Sequence, residues 1–344
     1  MKKLFDKRIA AEIRLISGAL ILLLGALVYL YQRVFLPAYF FTDERTIYDL
    51  IRYTDLHLAE QNSFVSMAVI FSFLGQAGSQ LLLVSATGLV MIYVSKRSLR
   101  LVDLVFACVL MSSFALFNLK LSKEVVVILL NLAACLICSR RLSNHSKIGL
   151  TVALYLLYAW QFRIYFVLVA AILIALHMVA SSHGKLRAVI VFGVLAACLA
   201  LPGDFWNQLQ LARDIVNENR EGMADAKTVF TNILTPSGVL TALPNIGFAT
   251  IRFYFAPLFS LRAQELILSF TLWYLTFVLF RRRNYQHPLF LLLLANFAVQ
   301  TFFEPDLGSF FRHLTAYAFC VFGIDYLQPA QEEVARRFPA TRQA

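Results

Sequence analysis

The stretch LISGALILLLGALVYLYQRVFL, residues 15–36, is almost wholly apolar, with Arg33 as its one charge. As a helix it is about 33 Å long, enough to cross the hydrocarbon core of a bilayer. It follows a basic start (Lys2, Lys3, Lys7, Arg8, Arg14), exceeds a signal-peptide core in length and has no small-residue cleavage site near its end. It therefore reads as an uncleaved anchor with the N-terminus in the cytoplasm. Similar apolar runs recur along all 344 residues, hydrophobic residues make up 60% and mean hydropathy is +0.70. These values exclude a soluble domain and predict an all-α, polytopic integral membrane protein.

A net charge of +11 could indicate nucleic acid, but the basic residues form short clusters at the ends of apolar runs rather than a stripe along one polar face. They read as topology signals, with no nucleic-acid partner. Besides the start, the clusters are Lys96/Arg97/Arg100, Arg140/Arg141/Lys147, Lys185/Arg187, Arg281/Arg282/Arg283 and Arg336/Arg337/Arg342. Placing all six in the cytoplasm puts 19 of the 31 Lys and Arg on that side, and each interval then holds an even number of crossings.

Ten spans satisfy this rule: 15–36, 78–95, 101–119, 123–139, 147–161, 164–180, 186–201, 264–280, 288–303 and 312–327, with both termini inside. Two further apolar stretches then do not cross. Ser63–Leu74 is too short and is expected along the outer interface. Val239–Leu261, broken by Pro244, Gly247, Arg252 and Pro257, is expected as a re-entrant or interfacial segment. The chain, 1–344, forms one membrane domain with outer loops at about 37–62 and 202–262 and a cytoplasmic tail at 328–344. The second loop contains a polar stretch, Asn207–Lys227, expected to be helical.

All five cysteines lie in apolar segments. Cys135 and Cys138 form a lone C-x-x-C without a second ligand pair or a redox context, so both read as small packing residues. The histidines show no metal-ligand spacing, and His177 stands alone on an apolar helix. Neither a metal nor another cofactor is expected.

Charge at the opposite, outer end of the spans needs another explanation, because a buried charge is costly unless it is paired or hydrated. Lys120, Lys123, Arg163 and Arg312 all fall there. In Leu119-Lys120-Leu121-Ser122-Lys123-Glu124, Lys120 and Glu124 share a face if the segment is helical and can pair; alternatively both lysines snorkel at a helix end. Arg163 lies near the middle of the apolar stretch Ile148–Ala180, too long for one crossing and short for two, so a tight turn is expected there. In Glu304-Pro305-Asp306-Leu307-Gly308-Ser309-Phe310-Phe311-Arg312-His313, a proline and a glycine turn the chain, and an Arg-His pair enters the next helix. A guanidinium beside helix-terminal N–H groups suits a phosphate. A capped turn whose arginine pairs with Asp306 or Glu304 is the alternative.

These elements resemble the Wzy-type and EpsG-type membrane proteins of bacterial surface-polysaccharide loci, the repeat-unit polymerases and related glycosyltransferases. The resemblance rests on Ser122-Lys123-Glu124 at the start of a middle helix, on Arg163 with Tyr165 about forty residues later, and on Gly308 followed by Arg312-His313. It implies glycosyl transfer at the outer face of the bacterial inner membrane, with sugars carried on a polyprenyl diphosphate. In that reading Arg163 and Arg312, with Lys123, His313 and Tyr165, hold the diphosphate, and one of Asp43, Glu44, Glu124 or Asp306 is the catalytic base. The partners are lipid-linked glycans, the bilayer and a chain-length regulator. A flippase or transporter of lipid-linked sugars, a polysaccharide ligase and a single-sugar transferase are the alternative functions.

Overall fold

The computed structural model describes residues 9–36, 38–53, 62–98, 100–220, 232–259, 263–282, 284–304 and 306–325. The expected tail at 328–344 lies outside these residues. Among those described the chain is all-helical: α1 Ala11–Phe35, α2 Thr42–Tyr53, α3 Ser63–Arg97, α4 Leu101–Asn118, α5 Glu124–Ser139, α6 Asn144–Gln161 and α7 Phe166–Ser181. There follow α8 Gly184–Ala200, α9 Gly203–Arg220, α10 Val239–Tyr254, α11 Ala263–Arg281, α12 Pro288–Phe303 and α13 Leu307–Ala318.

Among the described residues, α1, α3 and α4 are each long and apolar enough to cross a membrane. The bent pair formed by α8 and the first part of α9, with 82° between them, makes a fourth candidate. Helices α5, α7 and α12 are shorter and apolar. Rows of large apolar side chains face outward, such as Leu15 (77% exposed) on α1 and Phe192 (70%) on α8, a helix with no buried residue. Such continuous apolar surface is unstable in water and at home in lipid.

Local chemistry sets the helix ends. The Asn62 side chain accepts from the Phe64 and Val65 N–H groups at the start of α3, Ser143 does the same for Ser146 in α6, and Asp306 for Ser309 in α13. Ser63–Leu74, expected as a piece apart from the span at 78–95, forms the first part of α3 and is set off from the rest by a kink. The helix breaks at Gly75, whose backbone (φ 66°, ψ −179°) is open essentially to glycine alone. That first part carries Met67, Ala68 and Phe71 against Ile47 of α2 and Leu121, forming a small apolar cluster separate from the main core. The last helix also departs from the expected span 312–327. The Asp306 cap starts α13 five residues earlier, and a 3-10 turn, Phe319–Gly323, ends the described part.

Ion pairs between the described helices and turns gather at two poles. At one, Arg282 of the α11–α12 turn bonds Asp103 in the first turn of α4 at 2.6 Å, and Arg97 approaches Asp325 at 3.8 Å. The other pole holds the far end of α4, the start of α5, the α6–α7 turn and the α12–α13 turn. Gln32, near the end of α1, also reaches it, donating to the Leu119 carbonyl at 2.6 Å. Helix α10 starts towards this second pole, and its end reaches α11, where the Tyr254 and Thr276 hydroxyls lie 2.8 Å apart. Gly238, its cap, packs against Gly203 beside Trp206, which stacks near Phe302 at the end of α12, while Phe253 stacks on Phe310 of α13 at 3.9 Å.

Candidate functional site at one pole of the bundle

Four segments converge at the second pole. The residues Leu119–Lys123 lie between α4 and α5 and are not helical, so α5 begins at Glu124. The expected pairing of Lys120 with Glu124 is therefore corrected: four-residue spacing brings side chains together only on a helix. Lys120 turns instead to the 3-10 turn Ala38–Phe41. It donates to the Phe40 carbonyl at 2.5 Å and lies 4.9 Å from the Phe40 ring centre. Burial, with Arg312 nearby, pushes the Lys120 ammonium down to about 8.

Glu124, with no solvent exposure, meets Arg163 from the α6–α7 turn; Nη2 donates to Oε1 at 2.9 Å. The chain does turn at Arg163, since α6 ends at Gln161 and α7 starts at Phe166. The same guanidinium donates to the Tyr165 hydroxyl at 3.0 Å and reaches Ser63 Oγ at 3.4 Å. His313, on the second turn of α13, stands between two carboxylates, with Nδ1 3.2 Å from Glu124 Oε2 and Nε2 3.4 Å from Glu304 Oε1. Glu304 also accepts from Ser309 Oγ at 2.5 Å.

Arg312 reaches across to α2, where Nη1 donates to Asp43 Oδ2 at 2.9 Å. Lys123 Nζ lies 4.0 Å from that same oxygen. Burial alone would raise the Asp43 carboxyl, but Arg312 and Lys123 outweigh it and hold it below the usual carboxylate range. Glu44, one residue on, points to Arg33 of α1 at 2.9 Å, and there burial wins, leaving its carboxyl raised.

Of the nine candidate residues, the structure thus joins seven into two adjoining groups, Asp43 with Lys123 and Arg312, and Glu124 with Arg163, Tyr165 and His313, which meet along the chain at Lys123-Glu124 and Arg312-His313. Glu44 is turned aside to α1, and Asp306 serves as the cap of α13. No family model, curated protein or solved structure matches the chain. The site therefore stands on its own residues. Glu304, read from the sequence as a turn carboxylate, is a member in its own right, buried to 4% exposure and bridged by His313 to Glu124. Its placement directly before Pro305, in the segment that ends in Arg312-His313, was the available signal.

One other sequence reading changes. His177 does not stand alone: its Nε2 lies 2.9 Å from His145 Nδ1 on the neighbouring helix. Cys135 and Cys138 are buried in the main core as packing residues, with Cys135 3.5 Å from Cys320 between sulfurs. Among the described residues no group of three or more His, Cys, Asp or Glu is placed to hold a metal ion.

Chemically, the pole offers desolvated cations, of which Lys123, Arg163 and Arg312 are each held by a carboxylate. An incoming dianion can take over part of that pairing, and the carboxylate it displaces becomes a proton acceptor. Such fixed charges need little rearrangement when charge develops on a leaving group.

Proposed function

We propose that this protein is a membrane glycosyltransferase that polymerises polyprenyl-diphosphate-linked oligosaccharide repeat units of O-antigen, capsule or exopolysaccharide. The reaction takes place at the outer face of the bacterial inner membrane. The chain crosses ten times with both termini in the cytoplasm, α10 enters and leaves at the outer side, and the first part of α3 lies at that surface. This topology agrees with the positions of the basic clusters, and it is the one in which the Glu304 pole faces outward.

One observation carries the reading: Arg163, Arg312, Lys123 and His313 meet three carboxylates at the pole opposite Arg97, Arg282 and Arg140. A lipid diphosphate needs apolar helices for its tail and desolvated cations at headgroup level for its charge. Arg163 and Arg312 bind the diphosphate, helped by Lys123. The acceptor sugar hydroxyl attacks the anomeric carbon, the bond from that carbon to the phosphate oxygen breaks, and polyprenyl diphosphate leaves carrying the electron pair. The hydroxyl proton passes to Asp43, whose cations the diphosphate has engaged.

The test is reconstitution in proteoliposomes with lipid-linked repeat units, reading the product as a ladder of increasing length. A ladder supports polymerisation. Movement of intact units across the bilayer with no ladder would replace it with a flippase. Topology is tested separately with a single cysteine at position 308, exposed in the first turn of α13, in a background lacking the native cysteines, which a membrane-impermeant maleimide should label from outside intact cells.

A further inference from the structure

Helix α9 is amphipathic in the opposite sense to a helix on a soluble domain. Leu211 and Ile215 face outward at 52% and 46% exposure, whereas Trp206, Gln210, Arg213 and Asn217 are buried. Their spacing of four, three and four residues places them on one stripe of the helix. The 82° bend after α8 lays α9 across the end of that helix, with its apolar side outward and its polar side towards α10 and α12.

Most of the inward groups bind one another. Asn245 of α10 donates to Gln210 Oε1 at 2.8 Å, Arg213 donates to Asn232, and Asn232 donates to Asp214 at 2.9 Å. Two atoms at the start of the stripe are left over. The indole N–H of Trp206, a residue 5% exposed, and Oδ1 of Asn207 are buried without a hydrogen-bond partner. A buried indole N–H normally has an acceptor, and leaving it without one is costly. The Trp206 ring lies 6.5 Å from that of Phe302 at 27°, two residues before Glu304. The unfilled donor and acceptor thus lie by the last turn of α12, which leads into Glu304, and belong to none of the cluster's pairs.

We propose that the inward face of α9 is a sugar-binding wall, with Trp206 and Asn207 taking the hydroxyl groups of a neutral hexose or N-acetylhexosamine whose diphosphate occupies the Arg163/Arg312 cluster. A sugar hydroxyl accepts from the indole N–H while another donates to Asn207 Oδ1, and the indole face packs on the pyranose ring. The inference rests on the glycosyl-transfer reading above. It adds a residue pair that reads the sugar separately from the groups that read the phosphate.

The test compares two kinds of probe on the purified full chain in nanodiscs: farnesyl diphosphate, and a set of farnesyl-diphospho-hexoses and N-acetylhexosamines. The wild type should bind at least one glycosylated probe more tightly than farnesyl diphosphate. Trp206→Phe keeps the ring and removes the N–H. It should weaken glycosylated binding by about three- to tenfold, as for one hydrogen bond, and leave farnesyl diphosphate unchanged. If Trp206→Phe loses both probes it has misfolded, and Asn207→Ser, at a half-buried position, carries the test with the same expectation. A wild type that binds farnesyl diphosphate and gains nothing from any sugar, or a variant with unaltered sugar preference, overturns the wall and leaves the diphosphate site intact. A wild type that binds no farnesyl diphosphate overturns the diphosphate site itself, and the wall with it.

Discussion

Arg163 Nη2 donates to Glu124 Oε1 at 2.9 Å, between side chains only 6% and 0% exposed, and so ties the α6–α7 turn to the first residue of α5. A pair buried this deeply is structure as well as site. Removing one partner strands a charge, so Glu124→Ala should destabilise the protein by about 3–5 kcal/mol. Arg163→Ala should be similarly disruptive, which makes Arg163→Lys the better probe of binding. Replacing both partners, Glu124→Leu with Arg163→Met, should recover most of the stability and none of the activity. Thermal unfolding in detergent beside a transfer assay separates the two effects.

Asp43 takes Arg312 and Lys123 on one carboxylate oxygen. Asp43→Asn preserves its shape and removes its charge and basicity. Polymer formation should fall by about 10²–10⁴-fold with the fold retained, as for loss of a general base. Because the folded carboxyl lies below its usual range, its contribution to stability is present above the unfolded value near 3.8 and is lost only as pH falls through the lower folded value. An Asp43→Asn protein with wild-type rates would remove Asp43 from the chemistry.

Burial holds the Lys120 ammonium at about 8 in the folded chain, below its ordinary value of 10.5. Between those values the unfolded chain holds a proton that the folded chain has released, so stability should rise as pH climbs from about 8 towards 10.5. Lys120→Met should flatten that rise. Chemical unfolding midpoints across this pH window are the measurement; an unchanged slope in Lys120→Met would assign the titration elsewhere.

Gly75 holds its φ of 66° with open space around it, so a methyl group there would meet no neighbour and would strain only the backbone. Gly75→Ala should cost about 1–3 kcal/mol and favour a straighter α3. Straightening would pull Met67 and Phe71 off Ile47, loosening α2 and with it Asp43. Activity should therefore fall together with stability, measured as the rate at saturating substrate and the unfolding midpoint.

Much of this arrangement is legible in the sequence, and what is not has physical reasons. The apolar runs mark helices because their length and composition leave few alternatives, and the turn at Arg163 follows from a stretch too long for one crossing. The Asp306 cap, which moves the start of α13, is a local signal that a charge-based reading of Glu304–His313 passes over. Lys120 and Glu124 could not be assigned partners from spacing, since that depends on whether residues 119–123 are helical. The pairings of Arg312 with Asp43 and of His177 with His145 join distant parts of the chain, and no periodicity encodes which helices become neighbours. Gly75 is one glycine among 14, and its role appears only once φ is known.

The central claim is that Arg312, released from Asp43, grips a lipid diphosphate. Equilibrium binding of farnesyl diphosphate to the wild type and to Arg312→Gln, in nanodiscs at fixed salt, tests it most directly. The account predicts a loss of about tenfold or more in Arg312→Gln, equivalent to about 1.4 kcal/mol, with the unfolding midpoint little changed. Equal affinity in the two proteins would contradict it.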